Sequence, residues 1–421
     1  MFDVLIVGGG MVGASLACAL GNKHNKFNQN LKVGLVEARS GLKAGQFGAD
    51  GRASAIALGS SLIWQNIGVW DGMVDRGVTA MQCIQISDGD YPHKVKLWQR
   101  DVERDALGYV VENKVTLASL WQFMADCDNI ELICPAKILD LDQPTPAKDS
   151  DRIRVKVSTD QGQGEQHLSA KLLVAADGGR SLIRSLAQID TSQKTYDQTC
   201  IVVTLKAEHS HQNIAYERFQ HSGPFAILPL EGDRLCIVWT ATTAETPYLL
   251  NLPEAEFMAE LKKRIGDRLV NQLGELTLES CDRAAYVPRW MHAKTYIQPR
   301  LALVGDAAHS THPVAGQGMN LGIRDVGALA ETLINAQNRG EDLGSMTVLN
   351  RYQNRRRWDN LGVILLTDIT NRLFSNQFAP LQWLRRLGLL ILASLKPLRQ
   401  LVMLVMMGLI VRQPRLGDRE S

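Results

Sequence analysis

The sequence predicts an α/β (α+β) fold: a Rossmann-like three-layer domain that carries an inserted antiparallel-sheet domain and ends in a helical tail. Three observations carry this expectation. Over residues 2–38 a buried apolar run ends in a glycine-rich turn and passes through a helical pattern into a second buried run. Between about 195 and 240 the pattern changes to alternation, and beyond Gly316 helical periodicity holds almost to the end. At 421 residues the chain is long enough for two domains, or for one large domain with an insertion.

"FDVLIV" (2–7) is a short β-rich apolar run, as expected of a parallel strand buried on both faces. "GGGMVGASLACALG" follows, with helical spacing of Val12, Leu16 and Leu20. The polar stretch 22–30 reads as a loop, and "LKVGLVEA" (31–38) as a second buried strand. "ASAIALGSSLIWQNIGVW" (53–70) and "NKVTLASLWQFMADC" (113–127) are predicted to be amphipathic helices. "IELICPAKILDLD" and "RIRVKVST" are strands around a hairpin tip at 143–151, and "AKLLVAADGG" (170–179) is a strand ending in a glycine turn. "TCIVVTLKAE", "AYERFQ", "FAILPL" and "RLCIVWTA" are successive extended runs, which implies an inserted antiparallel sheet. "RLALVGD" (300–306) returns to the α/β pattern, and a helix is expected over 316–338.

Composition excludes some classes of function. Apolar residues make up 45% and charged residues 21%, which is ordinary for a globular protein. A net charge of +2, with no basic run interleaved with aromatics, gives no footprint for nucleic acid. The seven cysteines form no C-x-x-C pair, which fits reduced thiols in a cytoplasm and neither a disulfide framework nor a zinc site. A strand that begins at Phe2 is read as leaving no room for a signal peptide.

Gly8-x-Gly10-x-x-Gly13 lies between strand and helix, and Glu37 ends the next strand. Glycines here allow a tight turn, close approach of a pyrophosphate and packing of helix on strand. The helix N-terminus offers free N–H groups to the phosphates, and Glu37 can accept both hydrogens of an adenosine ribose diol. The fingerprint alone fits NAD or FAD. Asp177-Gly178 and Gly305-Asp306 lie just past two further strands, and an aspartate beside glycines at a strand end suits the ribityl hydroxyls of an extended FAD.

These segments together resemble the flavoprotein aromatic hydroxylases of the para-hydroxybenzoate hydroxylase type. The resemblance is carried by Gly8–Gly13 with Glu37, by "ADGGRSLIR" (176–184), by "GDAAHSTHPVAGQGMNLGIRD" (305–325) and by "DGRASAIAL" (50–58), whose Arg52 matches the family's arginine near the flavin. "YERFQHSGPFAILPL", "NRGEDLGSMTVLNRYQNRR" and "FSNQFAPL" are similar to ubiquinone-biosynthesis hydroxylases that act on 2-polyprenyl-6-methoxyphenol. The resemblance implies an FAD-binding part over 1–80, 111–190 and 291–340, a substrate domain over 81–110 and 191–290, and C-terminal helices over 341–421. It implies FAD contacts from Gly8, Gly10, Met11, Gly13, Glu37, Ala38, Arg52 and Asn113. Further contacts are implied from Asp177, Gly178, Gly305 and Asp306, and from Pro313, Gly316, Gln317, Gly318, Met319 and Asn320 along the ring. In this family NAD(P)H reduces FAD, O₂ adds to the ring, and the hydroperoxide delivers oxygen to an electron-rich phenol. The protein then orients reactants and excludes water, and no side chain is singled out as catalytic.

A helix starting near Gly316 would point free N–H groups at the flavin edge that gains negative charge on reduction. The glycines would let backbone approach a flat ring, and Pro313 would stiffen the loop. His309 and His312, at i and i+3, could form a metal pair, but no third ligand has suitable spacing; loop histidines bonded to backbone are the simpler reading. Ser181 and Arg184 are either helix-surface or cofactor residues. Tyr216, Phe219, Phe225, Leu228 and Trp239 are candidate pocket walls, with ordinary sheet core as the alternative for each. There is no second G-x-G-x-x-G, no redox cysteine pair of disulfide reductases and no W-x-W of flavin halogenases.

The tail "WLRRLGLLILASLKPLRQLVMLVMMGLIVR" (383–412) is apolar, but Lys396, Pro397 and Arg399 split it into pieces too short to span a bilayer. From 351 onward twelve Lys/Arg face four acids, which suits peripheral contact with the inner face of the cytoplasmic membrane or with a biosynthetic protein complex. Packing on its own domain is the alternative. A prenyl-lipid flavin reductase, hydroxylation at another ring position, and a non-catalytic docking subunit remain as other functions.

Overall fold

The computed structural model describes residues 1–23, 31–43, 45–47, 51–89, 91–144, 151–159, 164–280, 282–376, 378–410 and 414. Most of the 22–30 loop, the centre of the 143–151 hairpin tip, Asp50, Cys281 and the charges beyond Ile410 lie outside the described residues. The other six cysteines are free and buried.

Strand β1 (Phe2–Val7) leads through α1 (Met11–Leu20) to β2 (Val33–Val36). β3 (Ala53–Ala57) and α2 (Leu58–Ile67) follow. Next come β4 (Cys83–Asp88), β5 (Val95–Trp98), β6 (Gly108–Glu112), α3 (Asn113–Ala125) and β7 (Ile130–Ile133). β8 (Ala136–Asp142), β9 (Ile153–Thr159), β10 (Glu165–Ala175) and α4 (Leu182–Leu186) complete the first half. β1 lies between β10 and β2, all parallel, with Val4 opposite Leu172 on one side and Val33 on the other. β7 extends this sheet beyond β2, and β15 (Leu301–Leu303) joins β10 in parallel. Val4, Ile6, Val33, Leu35, Leu172 and Val174 are fully enclosed, so the continuous apolar runs are those of strands covered on both faces.

The stretch 53–70 departs from its predicted single helix. Ala53–Ala57 is a strand, antiparallel to β6, and the helix starts only at Leu58. The reason is tertiary: the Asn320 side chain accepts the Ala57 N–H at 2.8 Å and donates to the Ala55 carbonyl at 2.9 Å. Such bonds override a local helical period.

A second sheet is built from β11 (Gln198–Ala207), β12 (Ile214–Gln220), β13 (Gly223–Pro229) and β14 (Arg234–Thr242). These four pair antiparallel in the order β11-β14-β13-β12, but β12 pairs parallel with β4, which brings β4 and β5 into the same sheet. The outer face packs under α5 (Glu254–Ile265) and α6 (Asp267–Leu273). Tyr216, Phe225 and Trp239 belong to that outer core, beside Phe257 and Leu261, so they are not pocket walls. Alternation along the strands puts Leu228 and Phe219 on the inner face. Leu228 packs near Met81, Val202 and Ala215, and Phe219 stacks on Phe374 with ring centres 3.9 Å apart.

The C-terminal part is helical: α7 (Gln317–Asn338), α8 (Met346–Phe374), α9 (Ala379–Ser394) and α10 (Lys396–Met406). No single helix among the described residues is long and apolar enough to cross a membrane, and α9 and α10 bend by 101° at Leu395. Leu389, Met403 and Met407 pack against Val95, Leu97 and Leu107, and the Met407 carbonyl accepts the Gly59 N–H at 2.8 Å. The opposite side of the pair leaves Trp383 73% exposed and Leu387 54% exposed.

Phe225→Ala is expected to lower the free energy of unfolding by about 3–5 kcal/mol in a denaturant titration, because Phe225 is fully enclosed between sheet and helices.

Candidate cofactor and substrate site

Four turns meet at the carboxyl ends of neighbouring parallel strands. Val7 of β1 is in register with Val36 of β2 and Ala175 of β10, and Ala175 with Leu303 of β15. The glycine turn, Glu37, Asp177-Gly178 and Gly305-Asp306 follow directly on these residues. They therefore line one continuous crevice, the usual location of ligands in open α/β sheets.

The three fingerprint glycines have different tasks. A Cβ on Gly8 (φ +106°) would meet the Ala176 carbonyl oxygen at 2.4 Å, and one on Gly13 would meet that of Gly8 at 1.9 Å. Both glycines are required for packing. A Cβ on Gly10 would meet nothing within 4 Å, so Gly10 borders open space. It caps α1 without a side-chain hydrogen bond, and the N–H groups beginning at Met11 are left for a ligand. The buried Glu37 carboxylate accepts the Gly9 N–H at 2.7 Å on one oxygen and the Arg39 N–H at 2.7 Å on the other. Ala38, beside it, is exposed.

Asp177 accepts the Leu182 N–H at 2.8 Å through Oδ2, while its Oδ1 is buried without a hydrogen bond among the described residues. A Cβ on Gly178 (φ +81°) or Gly179 would meet only open space. Ser181 is buried and caps α4. Arg184 is not a surface residue: its guanidinium donates to the Ala307 carbonyl at 2.8 Å and the Gly179 carbonyl at 3.0 Å, tying two turns together. The Asp306 side chain is exposed at its turn and makes no hydrogen bond among the described residues; desolvation pushes its carboxyl above the usual carboxylate range, against the pull of nearby His309. An orphaned carboxylate oxygen, a second carboxyl without a hydrogen bond among the described residues, and open backbone at Gly10 and Gly178 fit an extended dinucleotide with ribityl hydroxyls.

The two histidines do not share a site, and the ring partners among the described residues are side chains, not backbone. His309 Nε2 lies 2.5 Å from Asp325 Oδ2. Asp325 also accepts from the Gly305 N–H at 3.1 Å, Arg356 Nε at 2.8 Å and Asn360 Nδ2 at 2.9 Å. Burial would raise its carboxyl, but the His309 ring and the Arg356 guanidinium hold it well below the usual range. His312 Nε2 bonds Gln198 Oε1 at 3.0 Å, and burial pushes this ring down to about 4, so it is neutral at neutral pH.

The loop to α7 is only partly a bed of bare backbone. Gly316 (φ +59°) is needed because a Cβ would lie 2.9 Å from that of Ala55, and a Cβ on Gly322 would lie 2.7 Å from Val12 Cγ2. A Cβ on Gly318 would meet nothing closer than Thr311 at 3.8 Å. Pro313 is half-buried, Met319 packs on the main core, and Gln317 and Asn320 are buried. Arg52 is exposed at the start of β3, where its carbonyl accepts the Asn113 N–H at 2.9 Å; Asn113 itself accepts from the Ser54 hydroxyl at 2.8 Å.

A wall absent from the sequence-based expectation completes the site. A cavity of about 40 Å³ is lined by Ala55, Ala57, Gln317 and Asn320 on one side and by Met403, Met406 and Met407 on the other. The run "LVMLVMMG" was the available signal, since methionine fills irregular apolar gaps. A larger outer cleft of about 590 Å³ is lined by Asp88, Tyr91, Phe219, Phe374, Arg385 and Arg386. Arg385 and Arg386 both donate to Asp88, at 2.7 Å and 3.1 Å.

Residues 1–359 match the family described as FAD binding domain. The chain is 39% identical to the ubiquinone hydroxylase UbiL of Rhodospirillum rubrum over 96% of its length and 89% of the relative's. It is 33% identical to the 3-demethoxyubiquinol 3-hydroxylase of Escherichia coli over 92% and 94% of the two chains. The solved p-nitrophenol 4-monooxygenase PnpA of Pseudomonas putida superposes with a TM-score of 0.77 at 18% identity, covering 100% of this chain and 99% of that one, and shows the shared fold. The protein is an FAD-dependent monooxygenase. It belongs to the FAD binding domain family, with ubiquinone hydroxylases among its relatives.

Gly10→Ala should leave the melting temperature nearly unchanged but weaken FAD at least tenfold, about 1.4 kcal/mol, read by equilibrium flavin titration. Asp325→Asn removes one of the two carboxylates that face the buried Arg356, leaving it only the partly exposed Asp359, and breaks a charged network with His309, so it should cost about 3–5 kcal/mol at neutral pH. Because the folded-state value of Asp325 is depressed, its contribution is complete above about pH 5 and fades as pH falls below about 4. The gap between wild type and variant should therefore narrow in acid.

Proposed function

We propose that the chain hydroxylates the aromatic ring of a polyprenyl phenol in ubiquinone biosynthesis, with 2-polyprenyl-6-methoxyphenol as the substrate. The observation that carries this reading is likeness to ubiquinone hydroxylases along nearly the whole chain. Bound FAD supplies the electrons taken from NAD(P)H and the route by which O₂ is activated. The chain's own residues bind, orient and keep dry. Asp177 and Asp306 would receive the ribityl hydroxyls, the N-terminus of α1 the pyrophosphate, and Glu37 the adenosine ribose. The N-terminus of α7 would offer its free N–H groups to the charge that builds up on reduced flavin. Met403, Met406 and Met407 exclude water from the adjoining space.

A polyprenyl substrate resides in lipid, and the outward face of α9 and α10 is apolar. Trp383 and Leu387, one turn apart, are exposed together with Leu384, Leu395 and Leu401. We infer peripheral contact of this face with the inner leaflet of the cytoplasmic membrane. Deleting the tail is a poor test, because its inner face is core.

Purified enzyme given a short-chain 2-prenyl-6-methoxyphenol should oxidise NADPH with matching O₂ uptake and form a hydroxylated product by mass spectrometry. NADPH oxidation by the prenyl compound without O₂ uptake would instead indicate a reductase. Trp383→Glu with Leu387→Glu should reduce co-sedimentation with anionic vesicles at least tenfold while turnover of the short-chain phenol is retained.

A further inference from the structure

One carboxyl near the site has no role in holding the fold. Glu217 is in the middle of β12, in register with Ala226 of β13 and Ile86 of β4. It shares the inner face of the second sheet with Ala215 and Phe219, because alternate residues of a strand point the same way. The rows on either side are informative. Ile84, opposite Ala215, lines the inner cavity with Gln317 and Asn320. Asp88, opposite Phe219, lines the outer cleft with Phe374. The Glu217 row thus lies between the outer cleft and the cavity at the start of α7. Its surroundings are apolar or small, and Ala55, which touches Gly316, packs in the cluster that holds Ala215, Leu228 and Val238.

Glu217 is half-buried and makes no hydrogen bond or ion pair among the described residues. A carboxyl in such a place costs stability with nothing in the fold to offset it. Burial pushes it up to about 7. The other titratable groups on this face are committed. Cys200, pushed up by burial to about 11, contacts the Thr240 hydroxyl at 3.6 Å, and Tyr286 bonds Cys200 and is likewise pushed up. Arg52 acts electrostatically on Tyr286. Asp88 is paired with Arg385 and Arg386 of α9, and Asp368 of α8 with Arg372.

Resting on the hydroxylase reading, we propose that Glu217 binds the phenolic hydroxyl of the substrate and accepts its proton as the ring carbon is oxygenated. The O–H bond breaks, its electron pair stays on the ring oxygen, and the proton passes to a Glu217 carboxylate oxygen. The ring thereby becomes richer in electrons where it must attack. A carboxyl that titrates close to neutral pH is suited to this exchange.

Glu217→Gln keeps the size of the side chain and its hydrogen bonding but cannot take up the proton. In the FAD holoenzyme with the short-chain phenol, kcat for hydroxylated product should fall about a hundredfold. KM should change little, and NADPH oxidation should continue with release of hydrogen peroxide. Glu217→Asp should restore part of kcat, and both variants should retain wild-type flavin content and melting temperature. Wild-type kcat should decline below about pH 7, and the Gln variant should lose that limb. A Gln variant that hydroxylates at the wild-type rate with the limb intact overturns the proposal. If the wild type forms no hydroxylated product, the hydroxylase reading fails. Glu217 is then judged by difference absorbance of the bound phenol: a shift towards phenolate in the wild type but not in the Gln variant upholds its role, and identical spectra reject it.

Discussion

The arrangement of the site depends on one enclosed carboxylate. Asp325 lies in α7, yet it receives the Gly305 N–H of the turn after β15, the His309 ring and the Arg356 guanidinium of α8. Burying such a charge is costly unless its lone pairs are filled and an opposite charge faces it, and here both conditions are met. The turn that carries Asp306, the loop that carries His312 and Pro313, and the two long helices are consequently fixed to one another. Tyr352 of α8 adds a bond to the Leu303 carbonyl at 2.8 Å, at the end of the strand that feeds the turn. The crevice therefore has walls whose separation is set before any ligand arrives, which is what orientation of a large cofactor requires.

How far the sequence could be read depended on the range of the forces involved. The glycine turn and Glu37 were legible because their chemistry is local: a tight turn, a helix N-terminus and an acid at the next strand end. The Asp177 and Asp306 turns were legible for the same reason. Ala53–Ala57 was misread as helix because the deciding partner, Asn320, is distant in the chain. Asp325 ends a glycine-rich motif that gives no hint of its role, since its partners Arg356 and Asn360 meet it only after α8 has folded back. Glu217 was hidden for another reason: an alternating strand usually turns its polar positions to water, but this sheet is covered on both faces. Tyr216, Phe225 and Trp239 illustrate the converse, large aromatics that read as a pocket and prove to be core.

Treating all glycines of a fingerprint alike obscures what each does. Gly8, Gly13, Gly316 and Gly322 are needed so that protein can touch protein, whereas Gly10 and Gly178 leave protein facing empty space. Only the second group makes direct room for a ligand. The same separation applies to the acids, where Asp325 is spent on architecture while Asp177 Oδ1 and Asp306 keep lone pairs in reserve.

The methionines that close the inner cavity lie at 403–407, about four hundred residues after the glycine turn they help to enclose. During synthesis the dinucleotide crevice can take shape once residue 360 has left the ribosome, but its last wall is still inside the exit tunnel. A nascent chain in that condition has a groove open to solvent and is poorly suited to shielding a reactive oxygen species. Competence to carry out guarded oxygen chemistry is thus deferred until residues 403–407 have emerged and packed.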